Sequence, residues 1–229
     1  VIDLEAERSA KLLEAQAKAE RLFADVDARG LVRAGVTEKA LSDAIHALAA
    51  DAFGVTAHWH KRIVRAGKNT LVPYATDPPD RTIDADDIVF LDFGPIFEAW
   101  EADFGRTFVI GSDTRKLKLR GDVGEAFARG KRYFRERPDI TGSELFRYVV
   151  GLAEEYGWEF GGAMAGHLVG RFPHERIAGD KVALYIHPEN DTPLRSHDAK
   201  GLRRHWILEI HFVDRARGIG GFYEELLTL

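Results

Sequence analysis

Two aspartates, Asp92 in FLDFG and Asp103 in EADFG, flank a turn-forming stretch within residues 88–111. The run 88–93 is apolar apart from Asp92, and Gly94-Pro95 reads as a strand exit. A turn centred on Phe97-Glu98 sets Asp92 opposite Asp103, and the two-residue period of a strand sends both carboxylates to one face. Like charges directly opposite one another repel, so a positive partner is expected between them: a metal ion, or an arginine such as Arg106. Further on, His167 lies among four glycines (Gly161, Gly162, Gly166 and Gly170), with His174 close behind it in PHE. Glu209 sits in the middle of the apolar run HWILEIHFV, and Glu224 interrupts FYEELL. A glutamate between Leu208 and Ile210 is costly unless its own face is polar or occupied, and His205 and His211 share that face. The ordered donors are Asp, Asp, His, Glu and Glu, with a second His near the first. Such a set suits a pair of divalent ions that share a water and lower its pKa. Oxygen-rich ligation favours Mn, Co, Fe or Zn in this role.

The elements that position these residues follow from periodicity. A helix is expected over 3–29, acidic in its first turn and stopped by Gly30, with Leu12, Ala15, Ala19, Leu22 and Phe23 on its apolar stripe. Thr37 caps a second helix that carries Leu41, Ile45, Leu48 and Ala49 and ends at Gly54. Residues 57–73 form a basic and aromatic connection, and the Pro- and Asp-rich stretch 76–87 is a loop. Helices return over 122–137 and, from a capping box of Thr141 with Glu144, over 141–156. The short basic run KLKLR (116–120) is expected to be solvated surface. Strands are expected at 181–187, at 205–213 and at the C-terminus.

The segments 36–54 and 140–158 superimpose without gaps, Thr37 on Thr141, Leu41 on Leu145, Ile45 on Val149, Leu48 on Leu152 and Ala49 on Ala153. Each follows another helix and precedes a strand-rich stretch bearing candidate ligands. The repeat points to two helix-helix-strand halves, about 1–110 and 111–229, facing one another across a single site in one domain. Helices then cover one side of the sheet and leave the other for chemistry.

Composition sets the outer bounds. The chain has 229 residues, 45% apolar and 30% charged, enough for one sizeable core. It has no cysteine, so disulfides and thiolate metal sites are excluded, and any nucleophile must be an oxygen. A formal net charge of -5 argues against nucleic acid as a partner. No signal-like start and no apolar run near the length of a membrane span are present, so the cytoplasm is the expected compartment.

On these motifs the chain resembles the pita-bread metallopeptidases of family M24: methionine aminopeptidase, aminopeptidase P, prolidase and the creatinase-like members. The resemblance runs from about residue 3 to the C-terminus, and the extra N-terminal domain usual in aminopeptidase P and prolidase is not among these residues. It implies an α/β (α+β) fold in which a curved antiparallel sheet carries helices on its convex side, with the site in the concave side between two pseudo-symmetric halves. The family's hairpin aspartates fall on Asp92 and Asp103, its GH-x-x-G histidine on His167, and its two glutamate ligands on Glu209 and Glu224. The catalytic histidine before a Glu falls on His174. The resemblance implies Asp92 and Asp103 on one ion, His167 and Glu209 on the other, and Asp103 and Glu224 bridging. It further implies hydrolysis of the N-terminal bond of a short peptide by an aminopeptidase or Xaa-Pro peptidase-like enzyme, with His174 and Glu209 catalytic. A homodimer is the expected state, with Trp59, Trp100 and Trp206 as candidates to line an interface or a pocket. Two departures stand out. The substrate-facing histidine expected five residues after Asn69 is Tyr74, for which His58 or His60 would have to substitute, and the second histidine of the proline-specific members is Ala163. These departures keep two alternatives in view: a creatinase-like hydrolase of a small non-peptide amide, and an inactive peptide- or protein-binding module.

Overall fold

The computed structural model describes residues 4–173, 182–198 and 200–229. In chain order the elements are α1 (Leu4–Ala28), α2 (Glu38–Phe53), β1 (Ile63–Ala66), a 3-10 helix (Gly67–Leu71), β2 (Ile88–Phe93), β3 (Ile96–Phe97), β4 (Trp100–Glu101), β5 (Phe104–Val109), α3 (Thr114–Arg135), α4 (Gly142–Tyr156), β6 (Glu159–Phe160), β7 (Leu168–Val169), a second 3-10 helix (Val182–Leu184), β8 (His205–Asp214) and β9 (Ile219–Leu226).

The caps predicted for α2 and α4 are made. Thr37 Oγ1 accepts the Ala40 N–H at 3.1 Å. Thr141 Oγ1 accepts the Glu144 N–H, and the Glu144 carboxylate returns to the Thr141 N–H at 2.9 Å. Both helices end on glycines in the left-handed region, Gly54 and Gly157, which bond the last free carbonyls. Their apolar stripes are buried at matching positions: Leu41 and Leu145, Ile45 and Val149, Leu48 and Leu152, Ala49 and Ala153.

Two expectations are corrected here. The helix expected from 122 begins at Thr114, because Asp113 caps it by accepting the Arg115 and Lys116 N–H groups. Leu119, read as part of a solvated basic run, is therefore on the buried face of α3 and fully enclosed. The strand expected over 181–187 is also absent from the described part of that stretch, where 182–184 form a 3-10 turn and Tyr185 makes a single bridge to His167. A short apolar run carries no period long enough to tell a strand from a buried turn.

Six strands lie in the order β1-β2-β5-β9-β8-β6, with β7 added alongside β8, and every pairing is antiparallel. Side-chain alternation sorts this sheet into two faces. Val89, Leu91 and Phe93 point into a core with Leu22, Val26 and Ile45 of α1 and α2. Leu208, Ile210 and Phe212 point into a second core with Val123, Phe127, Val149 and Leu152 of α3 and α4. Apolar burial against the helices fixes the strand parity, since a one-residue slip would expose each of these rows. Asp92 and Glu209, which lie between them, are thereby turned to the opposite face, and Glu224 shares that face as the ladder partner of Glu209.

Candidate metal centre

A single row of paired residues crosses the middle of the sheet: Asp92 on β2 opposes Gly105 on β5, Gly105 opposes Glu224 on β9, and Glu224 opposes Glu209 on β8. Three carboxylates thus line up with one glycine between them. A Cβ at Gly105 would come within 2.5 Å of the Phe222 ring, so the gap in the row is enforced by packing. Asp103 lies two residues before Gly105 and projects from the same face.

The expected register, Asp92 opposite Asp103, is corrected by this ladder. The β2–β5 and β3–β4 pairings continue one another around a turn at Glu98-Ala99, where Glu98 takes a φ of 60°. The slip is by two residues, an even number, so both aspartates still share a face. Arg106 does not stand between them. It follows Gly105, leaves by the other face, donates to the Gly105 and Glu224 carbonyls, and pairs with the Glu225 carboxylate. The positive partner is instead His60, whose Nε2 lies 3.1 Å from Asp103 Oδ1 and 3.4 Å from Asp92 Oδ1.

His167, just ahead of β7, completes the cluster. Its Nε2 lies 3.0 Å from Asp103 Oδ2, 3.6 Å from Glu209 Oε1 and 3.7 Å from Glu224 Oε1. Two groups therefore form, His60–Asp92–Asp103 and Asp103–His167–Glu224, each with ligand atoms within 4.8 Å of one another and with Asp103 common to both.

Burial dominates the electrostatics. It pushes the Asp92 carboxyl up to about 7 against the pull of His60, with Asp103 and Glu209 adding to the rise. It pushes Glu209 up to about 7 against His167. Glu224 is driven well above the carboxylate range by burial and by Asp103, Asp92 and Glu209. Asp103 alone falls below its usual value, because His60 and His167 together outweigh its burial. Burial disfavours a charged His60, yet Asp103 and Asp92 raise it to about 9. Burial opposes charge on His167 as well, and hydrogen bonds to Asp103 and Glu224 overcome it. The cluster is short of positive charge. Asp92 Oδ1 and Glu224 Oε2 are buried and have no hydrogen-bond partner among the described residues, an expensive state for a carboxylate. Cations bound between the carboxylates would relieve it, so the donor set fits a pair of divalent ions.

The other sequence candidates are placed as follows. His174 lies outside the described residues. His58 turns away from the carboxylates, its ring 5.3 Å from that of His46 and 5.8 Å from that of Phe93. Tyr74 is half exposed, with its ring 6.2 Å from that of His60, and Ala163 is exposed. His205 pairs with Glu5, and His211 Nε2 donates to the Thr70 carbonyl, so neither joins the cluster. Trp206 is core, its Nε1–H bonded to the Leu194 carbonyl. Trp59, expected only to line an interface or a pocket, packs on the cluster: its ring sits edge-on to both His60, at 4.5 Å, and His167, at 4.9 Å. The only sequence signal was a tryptophan between two histidines in HWHK.

The model described as metallopeptidase family M24 matches residues 10–199. The Xaa-Pro dipeptidase of Pyrococcus horikoshii is 30% identical over 114 residues, a match covering 49% of this chain and 32% of that protein. The Xaa-Pro dipeptidase of Lactobacillus delbrueckii subsp. lactis is 29% identical over 145 residues, 63% of this chain and 39% of that protein. The chain thus matches less than half the length of these relatives. Among solved structures, the X-Pro aminopeptidase of Thermotoga maritima superimposes with a TM-score of 0.76 at 22% identity, covering 98% of this chain and 61% of that one. The methionine aminopeptidase of Rickettsia prowazekii superimposes with a TM-score of 0.71 at 18% identity, covering 96% of each chain. The sheet, the helices on one of its faces and the acidic cluster on the other are the pita-bread arrangement that the sequence motifs implied.

Proposed function

Because this chain belongs to metallopeptidase family M24, we propose that it is a two-metal hydrolase that removes N-terminal residues from short peptides, of the aminopeptidase or Xaa-Pro peptidase type. The observation that carries the reading is the row Asp92–Gly105–Glu224–Glu209, joined by Asp103 and His167, with two buried carboxylate oxygens that have no hydrogen-bond partner among the described residues. The names of the relatives support the peptide substrate.

Asp92 and Asp103 would hold one ion and His167 and Glu209 the other, with Asp103 and Glu224 available to both. When bound, such a pair supplies a water of lowered pKa and positive charge against a developing oxyanion. Glu209 is the proton carrier: its carboxylate accepts the proton of the attacking water and delivers it to the leaving amine. His174 would hydrogen-bond the substrate or the tetrahedral intermediate. Asp103, His167 and Glu224 are buried, and the lower dielectric there strengthens each of these interactions. The two segments that open with Thr37 and Thr141 form corresponding parts of two halves, about 1–110 and 111–229, of one catalytic domain. No helix among the described residues is long and apolar enough to cross a membrane. A homodimer in the cytoplasm is the proposed state, and light scattering that gives a monomer mass at micromolar concentration would reject the dimer.

A peptide-library digest with added Mn, Co or Zn, read by mass spectrometry against Glu209→Ala, tests the activity. Stepwise loss of single N-terminal residues by the wild type alone supports the proposal. Tyr74 stands where the resemblance implies a substrate-facing histidine, and Ala163 where it implies the second histidine of proline-specific members; these departures favour a second reading, a binding module. Absence of turnover of any peptide by protein with two bound ions would leave that reading or a small-amide hydrolase.

A further inference from the structure

His60 has no place among the five ligands above, yet its imidazole is held as that of His167 is held. His60 Nδ1 lies 2.7 Å from the Lys61 carbonyl, and His167 Nδ1 lies 2.8 Å from the Leu168 carbonyl. A carbonyl only accepts, so each Nδ1 carries a proton, and each Nε2 is turned to the carboxylates. Backbone carbonyls orient metal-binding imidazoles in this way, fixing the ring and leaving the Nε2 lone pair for a cation. In the ion-free protein a proton on Nε2 answers the oxygens of Asp103 and Asp92 at 3.1 Å and 3.4 Å, and a bound cation would take that proton's place between the same three atoms.

The spacing admits that cation. Donors each ~2.1 Å from a common ion and 3.1–3.4 Å apart subtend angles of about 95–110° at it, between octahedral and tetrahedral values. The ring is also built into its place. A Cβ at Gly94 would lie 2.3 Å from both His60 Cδ2 and Trp59 Nε1, so the absent side chain is what admits the two rings. Trp59 in turn donates from Nε1 to the Ala102 carbonyl and packs on both imidazoles.

We propose that His60 is a ligand, through Nε2, of the ion held by Asp92 and Asp103, so that each ion of the pair takes one imidazole. The inference rests on the two-ion reading above and adds a sixth side chain to it. It also gives the first ion a nitrogen donor, which favours Co or Zn over Mn at that position.

Co(II) titration of the full chain, followed by proton NMR of the loaded protein, is the test. Nδ1–H protons of ligating imidazoles are shifted far downfield by Co(II) and vanish in deuterated water. With two Co(II) bound, wild type should show two such resonances and His60→Phe one. His60→Phe should lose about 10- to 100-fold in Co(II) affinity at one site and less in Mn(II) affinity, whereas a merely loosened fold would weaken both equally. His60→Gln serves as the second variant should the bulkier ring fail to fold, and the wild-type spectrum needs neither. Two bound Co(II) with a single exchangeable resonance would overturn the proposal and leave the two-ion reading intact. Binding of fewer than two Co(II) would overturn both.

Discussion

Gly94→Ala places one methyl group against the rings of His60 and Trp59 and asks how firmly they are held. Gly94 is not in the left-handed region, so alanine meets no backbone penalty there, and the effect isolates the side-chain contact. The new Cβ would start 2.3 Å from both rings and needs ~3.4–3.5 Å, so a ring must retreat by about 1 Å. Neither ring is free to do so: His60 is tied to the Lys61 carbonyl and to Asp103, and Trp59 to the Ala102 carbonyl. Overpacking of this kind costs about 1–3 kcal/mol, and the reduced freedom of the unfolded chain returns at most about 1 kcal/mol. A displacement of ~1 Å also exceeds the ~0.2 Å tolerance of a metal–ligand distance, so affinity at the Asp92–Asp103 position should fall about 10- to 100-fold. Urea melts and Co(II) titration read the two effects separately. Gly121→Ala, within α3 and with nothing within 4 Å of the new Cβ, is the control and should stabilise by about 0.5–1 kcal/mol. Wild-type Co(II) affinity in Gly94→Ala, with stability within about 0.5 kcal/mol, would show that the rings are not wedged as described.

Asp103→Ala removes the one carboxylate common to both groups, and elemental analysis after reconstitution with Mn or Co should show the loss of at least one ion; unchanged stoichiometry would refute its shared role. Leu119→Ala should destabilise the fold by about 2–5 kcal/mol in denaturant melts, whereas a solvated leucine in a basic run would cost under about 0.5 kcal/mol. Asp214, at the end of β8, resists its own burial through hydrogen bonds from the Arg217 N–H, Arg115 and Arg217, and its pKa is lowered. A depressed carboxylate contributes stability above its unfolded value near 3.8, and that contribution is lost as pH falls through the lower folded value. Asp214→Asn should therefore be less stable than wild type at neutral pH, with the gap closing below pH 3.8, and a gap independent of pH would reject the linkage.

The second and fourth helices were legible because each carries two independent signals, a cap and a stripe. α3 shows what happens when one is overlooked: Leu119 is a single apolar residue among Lys116, Lys118 and Arg120, and only Asp113 as a cap reveals that the helix has already begun. The hairpin shows a different limit. Its turn was misplaced, yet the shared face of Asp92 and Asp103 survived, because parity is fixed by burial of Val89, Leu91 and Phe93 and tolerates any even slip. Which residues lie opposite one another depends on turn geometry, and Glu98 at φ 60° is not a residue whose type announces a left-handed turn. His60 was visible as a nearby histidine but not as part of the cluster. It lies in the irregular span before β1, where no period says which way a side chain points.

Charge balance explains why an imidazole, rather than a further carboxylate, suits that place. Asp92, Asp103, Glu209 and Glu224 together carry four negative charges when ionised, and two divalent ions cancel them. A fifth carboxylate would leave a net charge buried beneath Trp59, at a cost of several kcal/mol. A neutral imidazole supplies a donor atom without altering that sum, and His167 already does so on the other side. Without the ions, the same groups must find their positive charge in protons. Burial, with the neighbouring carboxylates adding to it, raises Asp92, Glu209 and Glu224, and the same carboxylates raise both histidines against their burial. Reconstitution with Co(II) in weakly buffered solution should therefore release protons into the medium at neutral pH, as the ions take over the role the protons had. Calorimetric titration in two buffers of different ionisation enthalpy would count them. Binding with no proton release would show that the cluster is already ionised, and that the burial argued here does not govern it.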